Sequence, residues 1–177
     1  MLKTFYFNPY RECTYVLTDD AKHAIIIDAG MYEAREQERF AEHIQKEQLE
    51  VVALLITHAH PDHVCGLEFL EKNYDLKVIV QPTEGPLDIP FFNIQAIATP
   101  GHKEDCVCYY LPEEKILFSG DTLFQESIGR TDLPGGDMGT LIHSLNKLVV
   151  LPDDTQVYPG HGYPTTIGHE KQYNPYI

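Results

Sequence analysis

The run Thr57-His58-Ala59-His60-Pro61-Asp62-His63 constrains this chain more than any other stretch. It follows directly on the apolar segment Val51–Ile56, which reads as a buried strand. Strand side chains repeat every two residues, so an extended H-x-H segment points the imidazoles of His58 and His60 the same way. Asp62 and His63 then open a helix after Pro61, and the change of direction aims them close to the first pair. A lone loop histidine is most often solvated or structural. Four His and Asp side chains within six residues instead predict two adjacent metal sites built from one segment.

Three later loops offer matching residues, each at a strand end and beside glycine: Thr99-Pro100-Gly101-His102, Ser119-Gly120-Asp121-Thr122 and Tyr158-Pro159-Gly160-His161-Gly162. Glycine frees the backbone to bend a single side chain towards a common centre. Taken alone, each loop is a turn with an incidental polar residue. Together with the first run they supply seven His/Asp ligands, enough for two divalent metals with three protein ligands each and one bridging carboxylate.

At 177 residues the chain has the length of one domain, 1–177, and at 43% hydrophobic residues it can bury a substantial core. Thirteen Lys and Arg against twenty-seven Asp and Glu leave a net charge of −14, which disfavours nucleic acid and anionic membrane surfaces as partners. No apolar run reaches the ~18–20 residues of a membrane span, and Met1–Pro9 reads as a first strand rather than a secretory leader. These features give a cytoplasmic expectation. Reduced thiols are expected for Cys13, Cys65, Cys106 and Cys108; in an alternating strand Cys106 and Cys108 face one side and read as small buried hydrophobes.

Aliphatic strands at Tyr15–Leu17 and Ala24–Asp28 form a hairpin, followed by an amphipathic helix over Tyr32–Gln48 with a solvated acidic face. A second helix is expected over Asp62–Asn73, a strand at Lys77–Val80, a loop over Gln81–Pro90, then strands at Phe91–Thr99, Cys106–Leu111 and Lys115–Ser119. A long loop, Gly129–Gly139, leads to helix Met138–Leu148, strand Thr155–Tyr158 and a last helix, Thr165–Tyr173. Strands followed by helices, twice over, point to two sheets packed face to face under helices, with a parallel α/β sheet left open by pattern alone.

The histidine–aspartate constellation resembles that of the metallo-β-lactamase superfamily along almost the whole chain. The resemblance implies an α+β fold, a four-layered αβ/βα sandwich with the metals at the sheet edges. It implies His58, His60 and His102 at the first metal, Asp62, His63 and His161 at the second, and Asp121 bridging. His23, His43, His143 and His169 match no ligand position and read as surface or packing residues. Asp121 stands where thiol-using β-lactamases carry Cys, and His60 where di-iron oxygen reductases carry an acidic residue.

The runs Gly120-Asp121-Thr122-Leu123-Phe124 and Ser127–Asp137 are similar to the short glyoxalase II (hydroxyacylglutathione hydrolase) group. That likeness implies a hydrolase using two divalent metals, Zn foremost with Fe or Mn as alternatives, on a small-molecule thioester such as S-lactoylglutathione. Metal-bound hydroxide would attack the carbonyl, with Asp62 and Asp121 as catalytic residues. Long members of the group continue into a helical domain that supplies much of the glutathione site. Arg130, in the second run, is the local candidate for gripping a substrate carboxylate; its alternative is a loop-ordering ion pair with Asp132 or Asp137. The second run is also similar to the persulfide dioxygenases, which implies as a rival a single ferrous ion on His58, His102 and Asp121.

Overall fold

A computed structural model describes residues 1–177, which divide into two compact units: Met1–Val80 with Ile89–Phe91, and Gln81–Asp88 with Phe92–Ile177. The content is α+β in both.

The first unit contains β1 (Leu2–Phe7), β2 (Glu12–Thr18), β3 (His23–Ile27), α1 (Ala34–Glu47), β4 (Glu50–Ile56), α2 (Pro61–Val64), α3 (Leu67–Asn73) and β5 (Lys77–Val80). Its sheet runs β1-β2-β3-β4-β5, antiparallel across the first three strands and parallel from β3 to β5. One face carries Phe5, Phe7, Val16, Ile26, Leu54 and Ile56 against Phe40 and Ile44 of α1 and Leu70 of α3. The alternate residues Tyr15, Leu17, Ile25, Ile27, Ala53 and Leu55 are buried as well, which is why these strands read as continuous apolar runs rather than alternating ones.

The second unit holds β6 (Gly85–Leu87), β7 (Ile94–Ala98), β8 (Val107–Leu111), β9 (Ile116–Gly120), β10 (Leu123–Phe124), β11 (Ser127–Ile128), α4 (Met138–Leu148), β12 (Gln156–Pro159), β13 (Thr165–Thr166) and α5 (Ile167–Tyr173). The main sheet runs β13-β12-β9-β8-β7-β6, and β10 and β11 form a separate ribbon. Leu141, Leu145 and Leu148 of α4 pack on Cys108, Leu117 and Val157, as the helical spacing of the leucines requires. Asp137 caps α4 by accepting the Thr140 N–H at 2.7 Å.

Three sequence expectations are corrected. The helix expected over Asp62–Asn73 is two helices broken at Cys65-Gly66. Gly66 donates its N–H to the Ala29 carbonyl at 2.7 Å and lies so near Met31 that a Cβ would stand 2.1 Å from Sδ. Long-range packing thus overrides the local helical pattern. The Gln81–Pro90 loop contains the three-residue β6, paired with β7 through Gly85↔Ala96. The final helix starts at Ile167, because Thr165 and Thr166 pair with β12 and the Thr166 hydroxyl caps the His169 N–H.

No helix is long and apolar enough to cross a membrane. All four cysteines are free thiols; burial pushes the Cys106 thiol up, and that of Cys108 up to about 11, so both are neutral packing groups. Substituting Gly66→Ala is expected to lower unfolding stability by about 1–3 kcal/mol, read by urea denaturation, because the added methyl displaces buried Met31.

Candidate metal centre

In the first unit the ligand run begins where β4 ends. Thr57 is held by the carboxylate of Asp28: Oδ1 accepts the Thr57 N–H at 2.7 Å and Oδ2 accepts the Thr57 hydroxyl at 2.8 Å. The same Oδ2 lies 2.8 Å from His63 Nδ1, with both side chains buried. A carboxylate only accepts, so the His63 proton sits on Nδ1 and Nε2 keeps its lone pair. That Nε2 lies 3.8 Å from Asp62 Oδ2. The single Thr57 hydroxyl proton goes to Asp28, so at 3.1 Å its oxygen accepts from His58 Nδ1, again leaving Nε2 as the lone-pair atom. His58 Nε2 faces His60 Nδ1 at 3.0 Å, and the rings of His58 and His63 are 4.2 Å apart. The expected grouping of His58, His60, Asp62 and His63 is therefore present within this unit.

Glu12 was not among the expected site residues, yet it is fully buried and its carboxylate lies within 4.8 Å of the ligand atoms of Asp28 and His63. The Thr14 hydroxyl donates to its Oε2 at 2.8 Å and accepts the Gly30 N–H at 3.0 Å. Burial pushes the Glu12 carboxyl well up, with His63 opposing and Asp28 reinforcing the shift.

In the second unit, His102 follows β7, Asp121 follows β9 and His161 follows β12. Asp121 Oδ2 lies 3.6 Å from His102 Nε2 and 3.7 Å from His161 Nε2. The backbone carbonyl of Arg130 takes His102 Nδ1 at 2.8 Å, which fixes that proton on Nδ1 and directs the Nε2 lone pair at Asp121. Gly129 approaches the Asp121 carbonyl so closely that a Cβ would stand 1.8 Å from it, and no other residue fits there. The Arg130 Nε and Nη2 each donate to Asp132 at 2.7 Å in an exposed pair, and this holds the Asp132 carboxyl down to about 2.

The donor set fits a divalent cation. Separations of 3.6, 3.7 and 3.8 Å are too long for hydrogen bonds. They match the spacing of two donors that share one ion at ~2.0–2.2 Å from each in near-tetrahedral geometry. Outside these groups, His23 pairs with Asp19 and stacks on Phe91, His43 meets the Phe5 edge, His169 pairs with Glu126, and His143 is exposed.

The sequence model of the metallo-β-lactamase superfamily matches residues 10–95 and 88–161. The chain belongs to this superfamily. Among curated relatives, it is 35% identical to the hydroxyacylglutathione hydrolase GloC of Haemophilus influenzae, over 92% of this chain and 91% of that protein. It is 31% identical to the probable metallo-hydrolase YqgX of Bacillus subtilis, over 92% of this chain and 90% of the relative. The crystal structure of the BLEG-1 B3 metallo-β-lactamase superposes with a TM-score of 0.94 at 35% identity, covering 99% of each chain. ETHE1 from Myxococcus xanthus superposes at 0.88 with 28% identity, over 99% of this chain and 83% of that one. TTHA1623 in a di-iron-bound form superposes at 0.85 with 33% identity, over 99% and 100%. The expected metallo-β-lactamase-type fold is thus borne out. The superfamily binds divalent metals, and the His/Asp clusters of this chain are of the matching kind.

Replacing Asp28 with Asn tests the supporting role of that carboxylate. An amide presented to His63 favours the tautomer with the proton on Nε2, the atom facing Asp62. Divalent-metal affinity is expected to fall about 10- to 100-fold, measured by chelator competition.

Proposed function

We propose that this chain is a metal-dependent thioester hydrolase of the glyoxalase II type, acting on substrates such as S-lactoylglutathione. The observation that carries the reading is Asp121, an oxygen-only ligand whose Oδ2 stands nearly equidistant from two histidine Nε2 atoms, 3.6 and 3.7 Å. Such a carboxylate suits hard divalent cations held as a pair, and its place between two imidazoles suits a bridge. The likeness to a relative named hydroxyacylglutathione hydrolase supports the same choice of substrate.

In this reading His58, His60 and His102 would hold one cation and Asp62, His63 and His161 the other, with Asp121 as the ligand they would share. When bound, divalent cations lower the pKa of a water towards neutrality and polarise a carbonyl oxygen. The chain's own groups do the rest. Asp62, beside His63, orients the attacking water and receives its proton. Asp28, Thr57 and the Arg130 carbonyl keep the three imidazole lone pairs aimed inward. The new C–O bond forms first, with the carbonyl π pair moving to oxygen; that pair then returns as the C–S bond breaks and its electron pair leaves on sulfur. A thiolate with a pKa near ~8.5 departs without a strong general acid. Zn is the first expectation for the metal, with Fe or Mn as alternatives, since mixed His/Asp ligation suits all three.

A second reading, a mononuclear iron persulfide dioxygenase on His58, His102 and Asp121, is supported by the likeness to ETHE1. Asp121→Ala separates the two together with metal analysis. The hydrolase reading expects two metals per chain in the parent, anaerobic hydrolysis of S-lactoylglutathione, and loss of both turnover and metal in the variant. One iron per chain with O₂ consumption on glutathione persulfide would establish the rival, and full turnover by the variant with both metals retained would overturn the role given to Asp121.

A further inference from the structure

The first unit's sheet gathers three loops at one edge. β1, β3 and β4 run in the same direction, so the turn Asn8–Arg11, the loop that carries Asp28 and Gly30, and the ligand run after Ile56 all leave from that edge. Asn8 ties them together. Its Nδ2 donates to the carbonyls of Gly30 and Asp62 at 3.0 Å each, and its backbone N–H donates to Glu36 Oε1 at 2.8 Å. Its Oδ1 accepts the Tyr10 N–H at 3.0 Å. Asn8 and Arg11 both adopt left-handed backbone, φ 51° and 57°. Non-glycine residues persist there when surrounding bonds over-determine them, as the Asn8 bonds do, and such positions recur at ligand clamps.

This braced turn carries two exposed side chains, Tyr10 and Arg11. Tyr10 is 74% exposed, and the Arg11 guanidinium lies 5.1 Å over the Tyr6 ring. The four arginines of the chain differ in their commitments. Arg35 pairs with Glu33, Arg130 pairs with Asp132, and Arg39 donates to the Tyr6 carbonyl. Arg11 alone has neither an acidic nor a carbonyl partner for its guanidinium, in a chain of net charge −14. Arg11 is exposed, and a guanidinium held over a tyrosine ring keeps the planar fork that receives a carboxylate bidentately.

We infer that the Asn8–Arg11 turn is the carrier-binding arm of the site and selects thioesters of carboxylate-bearing, peptide-like thiols. Arg11 pairs with a carboxylate of the thiol carrier, and Tyr10 packs along its stem. This inference rests on the thioester-hydrolase reading above and adds to it the residues that grip the thiol carrier.

The test uses the full metal-loaded chain and its Arg11→Gln variant, with thermal unfolding monitored to confirm that the variant folds. The kcat/KM for S-lactoylglutathione is divided by that for S-lactoyl-N-acetylcysteamine, whose thiol lacks a carboxylate. Arg11→Gln is expected to lower this ratio about 10-fold, as loss of a charge-assisted pair does. Calorimetric binding of S-methylglutathione is expected to weaken by a similar factor. An unchanged ratio with unchanged binding overturns the arm and leaves the hydrolase reading standing. Arg11-dependent binding without hydrolysis of either thioester upholds the arm and removes the hydrolase reading. Neither turnover nor binding by the parent removes both.

Discussion

The carboxylate of Asp28 accepts from the Thr57 N–H, the Thr57 hydroxyl and His63 Nδ1, all inside the first unit. These bonds decide how β4 hands over to the ligand run. They fix the turn at Thr57, set the tautomer of His63 directly and that of His58 through the Thr57 hydroxyl, and so aim two ring lone pairs. A buried carboxylate is costly unless its lone pairs are satisfied, and here the partners are the same groups that must be oriented. Asp28 itself sits at φ 60°, a left-handed conformation that aspartate tolerates better than most residues.

The second unit solves the equivalent problem with backbone. His102 is oriented by the Arg130 carbonyl rather than by a side chain, and Gly129 allows the chain before that carbonyl to lie against the backbone of Asp121. That loop thus acts on His102 through its main chain, while the Arg130 guanidinium pairs with Asp132. Both devices hold the imidazole from its far nitrogen, which raises ligand basicity and limits ring motion at once.

Much of this was legible in the sequence for a physical reason. The period-two alternation of His58 and His60, the helix start after Pro61 and the strand-end glycines are local patterns. Local patterns survive in a linear reading. What escaped it is long-range. Asp28 meets its partners across 29 and 35 residues, and Glu12 reaches the same cluster from the first position of β2, where no local pattern marks it. The break at Gly66 depends on Met31, and the role of Arg130 at His102 belongs to a carbonyl that every residue possesses. The one clue available in the sequence was the charged Asp28 closing an aliphatic run, a residue type that rarely ends a buried strand without a task.

In the proposed function seven His and Asp side chains would hold two cations, with Asp121 common to both. Anomalous diffraction from crystals of the zinc-loaded protein measures this most directly. Two metal peaks per chain are expected, with Asp121 Oδ2 bound to both ions and His63 and His102 ligating through Nε2. A single fully occupied peak, or two peaks with Asp121 bound to neither, would contradict it.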